Sequence, residues 1–292
     1  MKFSLIVSTR GRVDELKTLF RSLADQTSQD FEVIVSDQND DDRLEALLQS
    51  PHGFPVTHIR SSGGVSRGRN MGLAEATGEI CCFPDDDCAY VPRLLEEVAV
   101  FFEQNPGFGY LCGRSFADDG EDSVSRHSKT AAEIDRRNIL SQCIEFAIFI
   151  RRSALGDDRF DEAMGPGAPT PWQCDEGPDL LLRLMAKGVR GYYDPAVMAW
   201  HRRPVTNFGP KDIDRTYRYG CGNGYFYRRH GYSVWTFGHQ IVKTVAAIII
   251  YSVCGQWGRA RLYVARLKGR WRGWKAGRET LARPVLEVPA SR

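Results

Sequence analysis

Four short runs rich in Val, Ile, Leu and Phe, each leading into a segment with helical spacing, constrain this chain more than any other feature in it. The runs are Phe3 to Thr9, Phe31 to Asp37, Val56 to Arg60 and Glu79 to Phe83. Short β-branched runs bounded by polar residues read as strands. After the first, Val13, Leu16, Leu19, Phe20 and Leu23 recur at the period of an amphipathic helix. Further helices are predicted around Leu44 to Leu48, Arg67 to Ala76 and Pro92 to Phe102, the last with Pro in its first turn. Strands alternating with helices imply parallel β-α-β units with right-handed crossovers, in which ligands bind beyond the carboxyl ends of the strands. Thr9 and Arg10, Asp37, and the triplet Asp85-Asp86-Asp87 all fall at such ends.

Composition narrows the class. With 292 residues, 42% hydrophobic and 26% charged, the chain is globular, and disorder or fibrous repeats are excluded. One main domain is expected. The eight cysteines are scattered without a C-x-x-C pair, which argues against a disulfide framework or a zinc ribbon and for small core residues in a reducing cytosol. The N-terminal apolar run is too short, and too soon followed by Arg10 and Arg12, for a signal peptide. The longest apolar stretch, Val245 to Cys254, is half of the roughly 20 residues that span a bilayer, so no transmembrane helix is predicted.

A nucleotide, if one binds, is not held by a glycine-rich phosphate loop. The chain has no G-x-G-x-x-G and no Gly-Lys dipeptide for a Walker loop. A divalent cation on Asp85 and Asp87 is the alternative, because a hard metal takes carboxylate oxygens and bridges them to phosphate. Phe83-Pro84 supplies a tight exit from the strand before these acids.

The ordered set Ser8-Thr-Arg-Gly-Arg12, Asp37, Gly64-Val-Ser-Arg-Gly-Arg-Asn-Met-Gly72 and Phe83-Pro-Asp-Asp-Asp-Cys88 resembles the nucleotide-binding half of family 2 glycosyltransferases. The likeness continues through Phe160-Asp-Glu162, Gly165-Pro-Gly167, Asp175-Glu-Gly-Pro-Asp179-Leu-Leu-Leu-Arg183 and Tyr193-Asp-Pro195 to His201. It implies a GT-A fold over residues 1–205, with a Rossmann-like, mostly parallel sheet and flanking helices. It also implies sugar transfer from a nucleotide diphosphate donor to an acceptor hydroxyl, with inversion and with Mg or Mn. Carried over, Thr9, Arg10, Asp37 and Arg69 bind the donor with Asp85 and Asp86, while Asp85, Asp87 and His201 hold the cation. A sugar-phosphate nucleotidyltransferase and a silent sugar-nucleotide-binding partner are the alternatives; the first would carry a Gly-x-Gly-Thr-Arg-type loop where this chain has Ser8-Thr9-Arg10-Gly11-Arg12.

Transfer by single displacement needs a base for the acceptor proton and positive charge for the leaving diphosphate. The family's base belongs to a Glu-Asp pair ahead of a helix, and here Gly177 stands in place of that Asp. Glu176 is the expected base and Asp175 the reserve, with helix capping the competing role for Asp175 and Asp179 ahead of a helix over 179–187. Trp172, in a Gly- and Pro-rich loop, is the candidate for stacking on an acceptor sugar, unless it simply packs.

Residues 206–292 read as an aromatic and basic helical region. From residue 240 on there are eleven Lys and Arg against two Glu, whereas the rest of the chain has 28 basic and 35 acidic groups. Basic clusters and Tyr/Trp belts favour an anionic membrane surface. The expectation is a cytoplasmic enzyme held peripherally on the inner face of the cell membrane through 240–292, acting on a glycan or lipid-linked acceptor. A helical hairpin packed on the catalytic domain is the competing reading. A nucleic-acid site is not expected, because the apolar decad has no place on a phosphate-binding face.

Overall fold

The computed structural model describes residues 1–281, with side chains through residue 277. Of the charges counted above, Arg278, Glu279, Arg283, Glu287 and Arg292 lie outside the described side chains. The chain divides into two compact units, one of residues 1–162 and 176–204, the other of residues 163–175 and the chain from 205 onward.

The first unit is built on a nine-stranded sheet. Its strands are β1 (Phe3–Thr9), β2 (Phe31–Asp37), β3 (Val56–Arg60), β4 (Ile80–Cys82), β5 (Cys88–Tyr90), β6 (Tyr110–Phe116), β7 (Ala132–Glu133), β8 (Ile148–Arg151) and β9 (Gly191–His201). They lie in the order β3-β2-β1-β4-β8-β6-β9-β5, with β7 against β9. The helices are α1 (Val13–Ala24), α2 (Glu45–Leu48), α3 (Val65–Glu75), α4 (Leu94–Gln104), α5 (Ile139–Gln142), α6 (Arg152–Leu155) and α7 (Glu176–Ala186), with a 3₁₀ turn at Glu145–Ala147. Thus α7 starts at Glu176, ahead of the expected 179.

The β3-β2-β1-β4 half is parallel, as the β-α-β alternation predicts. The other half mixes directions: β8 runs antiparallel to β4 and β6, and β5 antiparallel to β9, while β6 and β9 are parallel. Leu16, Leu19, Phe20 and Leu23 bury the apolar stripe of α1 in the core with Leu5, Val7, Val33 and Val35. Helix α3 comes closer to the sheet than a side chain would allow. A Cβ at Gly68 would lie 2.4 Å from Ser8 Oγ, and one at Gly72 2.4 Å from Ile6 Cγ2. That close approach buries Arg69, the residue after Gly68.

All eight cysteines are free thiols. Five are buried, but Cys143 and Cys174 are half-buried and Cys254 is exposed, so small core residues describe only part of the set.

The second unit contains α8 (Pro210–Arg229), α9 (Val234–Val253) and α10 (Trp257–Leu281). Pro210 opens α8, and Ser233 caps α9 by accepting the Thr236 amide at 3.1 Å. Helices α8 and α10 meet backbone to backbone. A Cβ at Gly224 would lie 2.0 Å from the Arg270 carbonyl, and one at Gly273 1.9 Å from that of Cys221. Gly220 and Gly269 extend the same seam one turn further, giving glycines four apart on both helices. Helix α9 extends well beyond the apolar decad. It is 20 residues, long and apolar enough by length and composition to cross a membrane, with little of it buried. The continuous run misses this because Lys243, Gln240, His239 and Gly238 interrupt the N-terminal half of the helix.

Candidate active site

The site grows from the carboxyl ends of β1, β2 and β4. In the β1–β2 register Thr9 stands opposite Asp37. Asp37 is fully buried; its Oδ1 accepts from the Asn39 amide at 2.8 Å and from Asn39 Nδ2 at 2.7 Å. Its Oδ2 lies 3.0 Å from His58 Nε2 and 3.2 Å from Arg60 Nη1.

After β4, the Phe83-Pro84 exit leads into three consecutive carboxylates, each neutralised differently. Arg69 Nη2 donates to Asp85 Oδ1 at 3.1 Å. Asp86 accepts from the Thr9 hydroxyl and from Arg12 Nη1, both at 2.7 Å. Asp87 is 2.6 Å from Arg12 Nη1 and 3.2 Å from His201 Nε2. The antiparallel pairing of Cys88 with His201 is what sets that imidazole beside the triplet.

These environments separate the acids. Burial raises Asp85, aided by the like charges of Asp87 and Glu176, with Arg69 opposing. Burial also lifts Asp86, to about 6, against the pull of Arg12 and Thr9. Burial opposes ionisation of Asp87 too, yet the hydrogen bond and charge of His201, with Arg12, hold it below the usual carboxylate value. For His201 burial favours the neutral ring, but the bond to Asp87 prevails and raises it.

Asp85, Asp87 and His201 offer two carboxylate oxygens and an imidazole nitrogen within 4.8 Å of one another. This donor set suits Mg or Mn. The ring is already oriented to act as a ligand. Its Nδ1 is 2.7 Å from the Arg202 carbonyl, which requires Nδ1–H to donate and directs Nε2 to Asp87. Phe146 stacks on the ring, with centroids 5.1 Å apart and planes at 20°.

Arg69 extends the site to α7. Its Nη1 donates to Glu176 Oε1 at 3.0 Å, both side chains are under 5% exposed, and the guanidinium lies 5.4 Å from the Phe160 ring centroid. Thr9, Asp86, Arg12, Asp87 and His201 therefore form one network and Asp85, Arg69 and Glu176 a second, with Asp85, Asp87 and His201 bringing the two within 4.8 Å of each other and Asp37 opposite Thr9. Arg10 stands apart, largely exposed, with Asp40 at 3.9 Å.

Asp175 and Trp172 belong to the second unit. Asp175, at φ 64°, accepts from Asn223 Nδ2 at 2.9 Å, and Asn223 Oδ1 in turn accepts from Arg270 Nε at 3.0 Å. Burial raises the Asp175 carboxyl, opposed by those partners. Trp172 lies flat on Tyr225, with centroids 4.9 Å apart and planes at 4°.

Sequence reasoning passed over Arg12 as a site residue, although it joins two of the three acids. Its position, one residue before α1 in Ser-Thr-Arg-Gly-Arg, is the signal that marks it.

A family model described as Glycosyl transferase family 2 matches residues 4–162. An uncharacterized glycosyltransferase of Haemophilus influenzae is 36% identical over 110 residues, 37% of this chain and 37% of that protein. The GalNAc(5)-diNAcBac-PP-undecaprenol beta-1,3-glucosyltransferase of Campylobacter jejuni is 26% identical over 183 residues, 59% of this chain and 58% of that one. The chain thus spans between 37% and 58% of the length of these relatives. Among solved structures, S. aureus TarS 1-349 in complex with UDP-GlcNAc superposes with a TM-score of 0.58 at 17% identity, covering 97% of this chain and 92% of that one. Mannosyltransferase PcManGT from Pyrobaculum calidifontis, in complex with GDP-Man and Mn2+, gives 0.60 at 16% identity, covering 92% and 87%. These likenesses show a shared GT-A fold. With more than half of its residues under the family model, the chain belongs to glycosyl transferase family 2.

Proposed function

We propose that this chain transfers a sugar from a nucleotide diphosphate donor to an acceptor hydroxyl, with inversion at the anomeric carbon, in the synthesis of a cell-envelope glycan or glycolipid. The observation that carries the proposal is the Asp85, Asp87 and His201 cluster at the strand ends, linked through Arg12 and Asp86 to Thr9. The TarS and PcManGT complexes with UDP-GlcNAc and with GDP-Man and Mn2+ support a nucleotide-sugar donor, and the name of the Campylobacter relative supports a lipid-linked acceptor.

In this reading residues 1–205 are the catalytic domain. Thr9, Arg10, Asp37, Arg69, Asp85 and Asp86 line the donor site, and Asp85, Asp87 and His201 hold Mg or Mn. A divalent cation there supplies positive charge to the leaving diphosphate. Arg12 pairs with Asp86 and Asp87 and Arg69 with Asp85 and Glu176, and with a cation on Asp85 and Asp87 these guanidiniums would be placed to supply charge to phosphate oxygens. Glu176, with Asp175 in reserve, is the resemblance's choice of base, and its ion pair with Arg69 must open before it takes a proton. Trp172 is the candidate for stacking on an acceptor sugar.

The membrane contact runs through residues 240–292 of the helical region 206–292. Val234, Trp235, Val242, Ile249, Ile250 and Val253 are all more than half exposed along α9. Lys243 at mid-helix argues for a helix lying in the interface of the cytoplasmic leaflet rather than crossing it. Flotation with anionic liposomes, followed by release in alkaline carbonate, tests this; failure to float refutes lipid contact, and retention after carbonate refutes a peripheral one.

For the activity, nucleoside diphosphate release is measured from UDP-GlcNAc, UDP-glucose and GDP-mannose with alkyl glycosides and polyprenyl-diphosphate sugars as acceptors. Release abolished by EDTA, restored by Mn and lost in Asp87→Ala is expected. Pyrophosphate release indicates a nucleotidyltransferase instead, and donor binding without release indicates a silent binding partner. Release that survives EDTA refutes the metal site.

A further inference from the structure

Gly177 occupies the position where the family's string has a carboxylate, and the structure shows what fills the space beside it. A Cβ on Gly177 would lie 3.0 Å from Glu145 Cγ, 3.0 Å from Ile148 Cδ1 and 3.3 Å from Glu145 Oε1. A carboxylate is therefore present next to residue 177, delivered from the 3₁₀ turn before β8 rather than from α7.

The neighbours of Glu145 tie it to the site from two directions. Phe146, the next residue, is buried, stacks on the His201 ring and has its carbonyl held by the Tyr90 hydroxyl at 2.9 Å. On the other side, Gly177 adjoins Glu176, which pairs with Arg69 and through it with Asp85. All of these residues belong to the first unit. Glu145 is half-buried, whereas the Glu176 side chain is 4% exposed and ion-paired to a buried guanidinium. Protonating Glu176 breaks that pair and leaves Arg69 charged beside a neutral acid.

We propose that Glu145 is the catalytic base, standing in from β8's leading turn for the acid that position 177 lacks. This rests on the glycosyl-transfer reading. A Glu145 carboxylate oxygen takes the proton of the acceptor hydroxyl while the acceptor oxygen forms its bond to the anomeric carbon. The bond from that carbon to the diphosphate oxygen breaks on the opposite side, and its electron pair leaves with the nucleoside diphosphate. Glu176 then serves as the counter-ion that positions Arg69.

Glu145→Gln, Glu176→Gln and Asp175→Asn are compared in the nucleoside diphosphate assay, using whichever of UDP-GlcNAc and GDP-mannose the parent protein consumes. Glu145→Gln is expected to lower kcat by about 10²- to 10⁴-fold with donor KM within about twofold, since a base acts on the acceptor and not on donor binding. The swap Glu145→Ala with Gly177→Asp is expected to regain at least about tenfold over Glu145→Ala, because truncating Glu145 opens the space an Asp at 177 needs. A simple packing role for Glu145 predicts no such recovery. The proposal is overturned if Glu145→Gln keeps more than about a tenth of the parent kcat, if donor affinity falls as much as kcat, or if the swap regains nothing. A parent protein that releases no nucleoside diphosphate from either donor instead overturns the glycosyl-transfer reading itself.

Discussion

Replacing Arg69 with Met removes a cation that joins Asp85 to Glu176. The Arg69 and Glu176 side chains are 3% and 4% exposed, so water cannot take over the lost pairing. Breaking a buried pair from one side costs roughly 3 to 5 kcal/mol, because the remaining charge keeps its desolvation penalty. Asp85, half-buried, adds no more than about 1 kcal/mol. For a unit of this size such a loss corresponds to a fall in Tm of about 6 to 20 °C. Urea and thermal melts followed by circular dichroism measure it. Arg69→Met with Glu176→Met should recover most of the loss, since replacing both ions with apolar groups of similar size is often neutral or better. Arg69→Lys should fall between, as an ammonium lacks the fork that serves two carboxylates at once. A loss below about 1 kcal/mol in Arg69→Met, or a double variant no more stable than the single one, refutes the argument that this pair is buried and coupled.

Gly224→Ala and Gly273→Ala each drive a methyl to within 2.0 Å of a carbonyl on the facing helix, and each should cost about 1 to 3 kcal/mol in the melting of the α8–α10 pair. Gly238→Ala in α9, with nothing within 4 Å of its Cβ, is the control and should gain about 0.5 to 1 kcal/mol; equal effects at all three positions would remove the case for the close crossing. Glu32 accepts from Ser4 Oγ at 2.7 Å and from the Thr77 amide and hydroxyl at 2.7 and 2.8 Å. Burial opposes its ionisation, but these donors hold it down at about 2, below the ordinary 4.5, so its stabilisation is present above the ordinary value and lost as pH falls towards 2. Glu32→Gln should be less stable by about 1 to 2 kcal/mol at pH 7, and Tm curves of the two proteins should converge on acidification; a gap that persists undiminished to about pH 2 contradicts the charge-based account.

The parallel half of the sheet is legible because each strand is a local event. The chain from Phe3 to Thr9 carries its own apolar run, its polar end and the following amphipathic helix, and no distant partner is needed to read it. The candidate donor and metal residues are legible for the same reason: they are what stands where those runs stop. The mixed half is not. Directions of β5, β6, β8 and β9 depend on pairings such as Cys88 with His201, separated by more than a hundred residues, for which no local periodicity exists. Glu145 is hidden too, since only the fold brings it against Gly177, and Arg12 is visible as part of a motif but not as the bridge between Asp86 and Asp87. The length of α9 escapes a search for continuous apolar residues because a helix tolerates the polar interruptions that such a search counts as an end.

The main-chain contact between α8 and α10 bears on how this region can diverge. Glycines at 220, 224, 269 and 273 key one backbone to the other, with the Asn223–Arg270 and Tyr217–Arg272 hydrogen bonds beside that line. The outward residues, Tyr219 on one helix and Trp271 on the other among them, are freed from that role. Substitutions there can recolour the surface from cationic to aromatic or neutral while the pairing persists. Inserting a single residue between Gly220 and Gly224 would instead turn one glycine about 100° away from the line and push a side chain into a backbone. Fixed spacing with freely varying exteriors is therefore the pattern of inheritance to look for, and it gives evolution a rigid spar on which an acceptor-facing or lipid-facing surface can be rewritten.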